Sequence, residues 1–219
     1  RTERNRGFAA AVNFALADVD PTHHVLLLND DACLEDQCLR TLVDTLNAAP
    51  GDVVSVGPLV VLADQPHRVD SLGVVLRGDG AAFNAHIGSS TESIGSEVVE
   101  VLSPCFSVAL IRAGAFGHGS VGLLDERFFL YYEDLEWAVR ARHRGLRHLA
   151  NPQARARHVH AATTRTLGEA NRFRIVQRNL LIFATMHPSW RGASRVWARQ
   201  LVTQAKGLIT GPYRVERIR

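Results

Sequence analysis

Short apolar runs alternate with amphipathic stretches along the first quarter of the chain. Residues 7–17 have a helix-forming composition and lead through a turn into His24–Leu28, a nearly continuous apolar run. Such a run is typical of a buried strand in a parallel sheet. Residues 35–48 then place leucine and valine at helical spacing, and residues 52–56 form the next apolar run. Strand, helix and strand with short connections predict an α/β fold.

The pattern changes between residues 57 and 100. Short β-branched pieces are separated there by turns rich in glycine and serine, which predicts a hairpin excursion and a mobile loop. Beyond it, we expect strands at 98–102, 106–111 and 147–150, the last ending before Pro152, and helices at 133–144, 171–186 and 190–208.

Composition is that of an ordinary globular protein, with 46% hydrophobic and 21% charged residues. The longest apolar run, residues 180–186, is far shorter than the roughly 18 residues that span a bilayer. The chain begins with arginine and its only methionine is Met186, so we expect the first residues of the natural protein to be missing. Three cysteines without metal-binding spacing predict reduced thiols and a cytoplasmic protein.

The net charge of +3 conceals two parts of opposite sign. Residues 1–139 hold 8 arginines and 20 carboxylates, whereas residues 140–219 hold 17 basic residues and 2 carboxylates. A basic part of this kind predicts an anionic partner: nucleic acid, a phosphorylated substrate or an anionic membrane. The alternative is that the abundance of arginine reflects a GC-rich coding sequence.

The first candidate for chemistry is Asn29, Asp30 and Asp31, which follow the strand His24–Leu28 directly. In open α/β sheets, ligands bind beyond the carboxyl ends of the strands. Two adjacent carboxylates repel each other unless a cation neutralises them, and such oxygen ligands suit Mg²⁺ or Mn²⁺. The alternative is that Asp30 and Asp31 cap a helix that begins near Cys33.

The second candidate is an acidic group that follows four aromatic residues at the predicted start of a helix. Glu133, Asp134 and Glu136 lie there, after the aromatic stretch 128–132. A helix N-terminus enclosed by aromatic rings can hold one carboxylate as a general base. The alternative is that these acids only complement the helix dipole.

The third candidate is a pair of histidines at alternate positions, His158 and His160. Side chains two residues apart in a strand point to the same face. A neutral imidazole could complete an oxygen-rich metal site begun by Asp31, although a single histidine is more often structural.

These three signals occur in an order that resembles the family 2 inverting glycosyltransferases of the GT-A fold, particularly their rhamnosyltransferase-like and galactofuranosyltransferase-like branches. The resemblance covers residues 5 to 163, and its middle block is highly specific. Its matching pieces are NRGFAAAVN (5–13), VLLLNDD (25–31), LDERFFLYYED (124–134), Arg140, Gly145 and PQARARH (152–158).

The resemblance implies an α/β fold with a mostly parallel GT-A (Rossmann-like) sheet flanked by helices. It implies a catalytic domain at residues 1–165 that lacks its first βα units, and a basic helical appendage at 166–219. The strand and the acidic motif that bind the base and ribose in the family have no counterpart, and we expect them upstream of Arg1.

The resemblance also implies roles for individual residues. Asp31 and His158 would bind a divalent metal, Mg²⁺ or Mn²⁺, that bridges the diphosphate of a UDP- or dTDP-sugar. Asp134 would be the base that deprotonates the acceptor hydroxyl, with Glu133 beside it. The nucleotide sugar would be bound by Asn5, Gly7, Asn29, Asp30 and Asp31.

The implied acceptor is a glycan or a polyprenyl-diphosphate-linked molecule in cell-surface polysaccharide assembly. Arg191, Arg195 and Arg199 recur every four residues and so share one helix face, beside Trp190 and Trp197. This predicts a peripheral contact with the anionic inner face of the cell membrane. The alternative is a pair of helices packed on the sheet with a solvated arginine face. Nucleic acid is disfavoured because aromatic residues are not interleaved with the basic ones.

Two other functions remain open at this point. A nucleotidyltransferase on a related scaffold would act on sugar phosphates and a nucleoside triphosphate, and the aromatic and acidic block disfavours it. A non-catalytic glycosyltransferase-like module would only bind a glycan or a protein.

Overall fold

A mixed sheet forms the centre of the computed structural model, which describes residues 5–78, 81–159, 168–188 and 192–210. The described helices are α1 (Phe8–Leu16), α2 (Cys38–Ala48), α3 (Glu133–His143), α4 (Glu169–Met186) and α5 (Ala193–Thr210). The strands are β1 (His24–Leu28), β2 (Ala32–Leu34), β3 (Val53–Leu62), β4 (Val69–Ser71), β5 (Val74–Leu76), β6 (Ala82–Asn84), β7 (Val99–Val101), β8 (Val108–Arg112) and β9 (Arg147–His158). The predicted α/β class, a sheet flanked by helices, is therefore confirmed.

Strand pairing in the sheet differs from the expectation of a mostly parallel arrangement. The order of the main strands is β1-β8-β3-β9-β2, and in the described residues only β3 and β9 pair in parallel. Strands β1, β3 and β9 do run in the same direction, but β8 lies between β1 and β3 in the opposite direction. After β3 the chain passes through β4 to β7 and returns as β8, which runs antiparallel to β3. The apolar pattern of a single strand does not reveal the direction of its neighbour.

Strand β9 is longer than predicted, because it continues past Pro152 to His158. Asn151 pairs with Pro58, but the next pair joins Arg155 to Leu59, so the register shifts at this point. A proline cannot donate to a ladder, and a bulge is one of the few places where an interior strand tolerates it. The extension carries His158 to the far end of the sheet.

Helices cover both faces of the sheet. On one face, α1 and α3 contribute Ala9, Trp137 and Ala141 to an apolar cluster with Ala109 and Ile111 of β8. On the other face, α2 packs against the alternate residues of β8 and against β3 and β9. Successive side chains of β8 therefore pack alternately into the apolar clusters on the two faces of the sheet, as expected for a strand buried on both faces.

A third core lies beside the sheet. Phe128 and Leu135, from the region around the start of α3, share it with Leu180 and Phe183 of α4 and with Val196 of α5. The separate hairpin β5–β6 also packs there. Both C-terminal helices thus bury apolar residues against the segment that leads into α3. No helix in the described part of the chain is long and apolar enough to cross a membrane.

Candidate active site

The turn after β1 brings Asp31 against the end of β9. The backbone carbonyl of Asp31 accepts a hydrogen bond from the Val159 N–H at 2.9 Å, and β2 pairs Ala32 with His158. The Asp31 Oδ1 and His158 Nε2 atoms are 3.1 Å apart. The two residues predicted to bind metal, 127 positions apart in the chain, are therefore neighbours.

Asp70 is a third member of this group, and it was missed at the sequence level. Its Oδ2 atom lies 2.7 Å from His158 Nδ1, and its side chain is fully buried on β4. Burial alone would lower the pKa of His158, but the hydrogen bonds and charges of Asp70 and Asp31 raise it. Asp70 lies in a three-residue strand between Val69 and Ser71, and the sequence there gives no sign of a metal or catalytic site.

The Asp31 and His158 pair is suited to a divalent cation. A histidine that binds a metal usually donates the N–H of its other ring nitrogen to a carboxylate. Asp70 Oδ2 is in position to accept such a hydrogen bond from His158 Nδ1. The described residues contain no cluster of three or more His, Cys, Asp or Glu that could hold an ion by themselves. Mg²⁺ is commonly bound by one or two protein groups together with substrate phosphates and water, so the pair fits such an ion.

Capping does not explain the acidic pair. Helix α2 begins at Cys38 and its N-cap residue is Gln37, so Asp30 and Asp31 lie well before it. They precede the short strand β2 instead. Asp30 is exposed, whereas Asp31 faces His158.

The acidic pair Glu133 and Asp134 opens α3, as predicted. The two residues before it, Tyr131 and Tyr132, have φ of 70° and 74°. The left-handed region costs a bulky residue about 1–3 kcal/mol, so the surrounding structure must hold this turn. The N-cap residue Tyr132 makes no capping bond with its side chain, whereas Asp134 Oδ1 accepts the N–H of Leu135 at 2.7 Å.

Glu133 and Asp134 lie in different environments, which shift their pKa values differently. Burial raises the pKa of Asp134 to about 6, against the opposing effect of backbone N–H groups from Leu135 and Phe106. Burial and then the charge of Asp134 raise the pKa of Glu133 well above its usual value. Glu133 is only 7% exposed, and its Oε2 atom has no hydrogen-bond partner among the residues that the structure describes. An acid whose pKa is raised well above its usual value therefore lies beside one whose pKa is about 6, and carboxyl groups with separated pKa values are a usual pattern in acid–base sites.

Residues 103–107 join the two halves of the site. The Ser103 hydroxyl donates to the backbone carbonyl of Asp134 at 3.2 Å, and the carbonyl of Ser107 accepts the N–H of Asn29 at 2.9 Å. Burial raises the pKa of the Cys105 thiol to about 12, and the charges of Asp134 and Asp70 act in the same direction. The part of the site that holds Asp134 and the part that holds Asn29 and Asp31 thus lie on either side of residues 103–107. The sequence placed the first three of these residues between two predicted strands.

The turn at Asn5 and Gly7 lies on the base side of the site. Asn5 Oδ1 accepts the N–H of Gly7 at 2.9 Å, and Phe129 O accepts the N–H of Phe8 at 2.8 Å. Gly7 has φ of +89°, and a Cβ there would lie 2.3 Å from Phe129 O. Only glycine allows this approach.

Comparison with known families shows to which family the chain belongs. The sequence model described as Glycosyl transferase family 2 matches residues 1–112, half of the chain. The chain belongs to glycosyl transferase family 2. Asp134 and His158 lie beyond the matched residues. The structure places His158 against Asp31, and Asp134 beside Ser103.

Known structures support the fold of this family 2 chain. It is similar to GalNAc-T7, whose crystal structure contains UDP, GalNAc and Mn²⁺, with a TM-score of 0.55 and 13% sequence identity. The similarity covers 72% of this chain and 31% of the other, so the chain spans about a third of that protein's length. The expected GT-A fold is thereby confirmed. No curated protein matches the sequence significantly.

The remaining residues that the sequence suggested for a catalytic, metal or membrane role lie in other surroundings or outside the described residues. Glu136 is fully buried and its Oε1 atom is bound to Arg140 Nε at 2.7 Å within α3, so it has a structural partner. Arg195 and Arg199 are exposed on α5. His160 and the arginine at position 191 lie outside the described residues, as does the predicted boundary at 165.

Proposed function

We propose that this family 2 chain transfers a sugar, with inversion, from a nucleoside-diphosphate sugar to a hydroxyl of a glycan or lipid-linked acceptor. One observation carries the proposal: a buried carboxyl group with a pKa of about 6 and a histidine–carboxylate pair suited to a cation lie on either side of residues 103–107. Acceptor activation and leaving-group stabilisation need these two functions.

The proposed reaction assigns one role to each half. The acceptor oxygen bonds to the anomeric carbon, its proton passes to Asp134, and the bond from that carbon to the diphosphate breaks. A divalent cation held by Asp31 and His158 would offset the charge that develops on the leaving diphosphate. Because burial and the charge of Asp134 raise the pKa of Glu133 well above its usual value, we assign the role of the base that accepts the proton to Asp134.

For the donor, we propose a UDP- or dTDP-sugar with Mg²⁺ or Mn²⁺. The presence of UDP and Mn²⁺ in the GalNAc-T7 crystal supports this choice. Asn5, Gly7, Asn29 and Asp30 remain our candidates for contact with the nucleotide sugar, together with Asp31. The chain spans only part of the compared structure, so the acceptor is assigned only as a class.

Calorimetric titration of the purified chain with UDP tests the proposal. We expect binding that requires Mn²⁺ or Mg²⁺ and disappears with chelator, followed by transfer or slow hydrolysis in a screen of UDP- and dTDP-sugars. Release of pyrophosphate from a sugar phosphate and a nucleoside triphosphate would favour a nucleotidyltransferase instead. Absence of metal-dependent nucleotide binding would leave the non-catalytic binding module as the better account.

We also propose that helix α5 contacts an anionic membrane at its cytoplasmic face. Its apolar residues Trp197 and Leu201 are 44% and 69% exposed, and Arg195 and Arg199 are exposed on the same helix. Exposed aromatic and aliphatic groups beside basic ones are typical of interfacial helices.

Sedimentation with vesicles of phosphatidylglycerol and phosphatidylcholine measures this contact. Replacing Arg195 and Arg199 with glutamine should weaken binding by about 1 kcal/mol per arginine. The matched control replaces Arg40 and Arg144, two exposed arginines on α2 and just after α3. Equal binding to neutral and anionic vesicles, or equal effects of the two double variants, would contradict the membrane contact.

A further inference from the structure

The turn at Tyr131 and Tyr132, which precedes α3 and has positive φ at both residues, is contacted by the side chain of Asn179 in α4. Asn179 of α4 is fully buried, and its Nδ2 group donates to the carbonyl of Leu130 at 2.8 Å and to that of Tyr131 at 2.7 Å. Both amide hydrogens are therefore used on two consecutive carbonyls. These carbonyls belong to the residues that lead directly into Glu133 and Asp134.

The amide oxygen of Asn179 is also engaged. It accepts hydrogen bonds from Arg178 Nη2 at 2.9 Å and from Arg178 Nε at 3.1 Å. The same guanidinium donates through Nη2 to the carbonyl of Arg127 at 2.6 Å. Helix α4 thus fixes the aromatic segment at three backbone carbonyls, and the asparagine cannot rotate without breaking contacts on both sides.

The backbone that Asn179 holds would not keep its conformation alone. Tyr131 and Tyr132 are consecutive aromatic residues with positive φ, a region that residues other than glycine and asparagine rarely adopt. The turn sets where α3 begins, since the Glu136 N–H donates to Tyr132 O at 2.8 Å. It therefore also sets the position of Asp134 within the first helical turn.

We propose that Asn179 is a positioning residue for sugar transfer, which holds the Tyr131–Tyr132 turn in its left-handed form so that Asp134 lies where the acceptor hydroxyl is deprotonated. This inference rests on the proposed function. Asn179 itself touches no reacting atom and acts through the backbone. Because catalysis depends on placement to within about 1 Å, loss of the turn should reduce turnover more than donor binding.

Replacing Asn179 with alanine removes both donors from the two carbonyls. We expect kcat to fall by about 10- to 100-fold, with the KM for the donor nearly unchanged. Asn179→Asp keeps the side-chain volume but presents oxygen to those carbonyls, so it should lower kcat in the same way without leaving a cavity. This second variant tests the proposal even if the alanine variant folds poorly.

A buried asparagine outside the turn provides the matched control. Asn151 on β9 is 5% exposed, and its Nδ2 atom donates to Thr45 Oγ1 at 2.8 Å. Asn151→Ala should lower the melting temperature as the Asn179 variants do, because each change removes a buried amide. It should leave kcat near the wild-type value. A fall in kcat shared equally by Asn151→Ala and the Asn179 variants would overturn the positioning role.

Amide hydrogen exchange gives a readout that needs no activity. Exchange in residues 130–136 should accelerate in both Asn179 variants and stay unchanged in Asn151→Ala. Adding Tyr131→Asn to Asn179→Ala should restore part of the protection and of kcat, because asparagine tolerates positive φ. Unchanged exchange in residues 130–136 would overturn the proposal. If the wild-type chain transfers no sugar, the proposed function fails, and exchange still decides whether Asn179 holds the turn.

Discussion

Replacing Asp134 with asparagine is expected to reduce kcat by about 10²- to 10⁴-fold, the usual contribution of a positioned general base. Asparagine keeps the shape and can still accept the N–H of Leu135, which the carboxylate binds at 2.7 Å. It cannot take a proton from the acceptor. The affinity for UDP with Mn²⁺ should stay nearly unchanged, since the metal half of the site is formed by other residues. Initial rates and calorimetry on the same preparation measure both quantities.

Protonation gives a second signature of the same base. Because the pKa of Asp134 is raised to about 6, kcat should rise with pH through a midpoint near 6 and level off above it. Because the folded state holds this proton more tightly than the unfolded chain, the stability that protonated Asp134 contributes is lost as pH rises from the ordinary aspartate pKa to about 6, and it is absent above that value. Asp134→Asn should therefore not lower the melting temperature at pH 8. Loss of both donor binding and turnover in Asp134→Asn would instead place Asp134 in the donor site.

The neighbouring acid supplies the control. Burial and the charge of Asp134 raise the pKa of Glu133 well above its usual value, and glutamine matches the protonated form in size and charge. Glu133→Gln should therefore change kcat little and leave the midpoint of the pH profile near 6. An effect of Glu133→Gln as large as that of Asp134→Asn would show that the base had been assigned to the wrong residue.

Replacing Asp31 with asparagine is expected to weaken metal-dependent binding of UDP by more than the 10- to 100-fold that typically follows loss of a residue that only orients a metal ligand. The change removes the charge of the carboxylate that faces His158, while the amide keeps nearly the same size. Titration of UDP at several Mn²⁺ concentrations separates a loss of metal affinity from a loss of nucleotide affinity.

Two further variants serve as comparisons for the effect of Asp31→Asn on UDP binding. Asp70→Asn should weaken metal-dependent binding less than Asp31→Asn, because Asp70 contacts His158 Nδ1 and not the proposed metal position. Asp36→Asn changes the same charge at an exposed residue between β2 and α2 and should have little effect. Binding that is equally weak in Asp31→Asn and Asp36→Asn would indicate only a general electrostatic effect and would remove Asp31 from the metal site.

Local sequence pattern predicted the elements that carry the site but not how the site is enclosed. The run before Asp31 and the acidic start of α3 were visible because each is continuous in sequence. Asp70 and Asn179 were not, because their partners lie 88 and 48 or more positions away and the contacts exist only after folding. Strand β9 was predicted too short because Pro152 normally ends a ladder, and the register shift that accommodates it depends on β3.

The distance in sequence between Asp31 and His158 has a consequence for synthesis of the protein. Their contact spans 127 positions, so a growing chain cannot form the metal pair until β9 is complete. Asn179, which holds the catalytic turn, is added later still. A ribosome-bound chain that already carries Asp31 and Asp134 therefore lacks the contacts of His158 and Asn179 on which the proposed cation site and the proposed base depend. The proposed site would be completed only after residue 179 has been added.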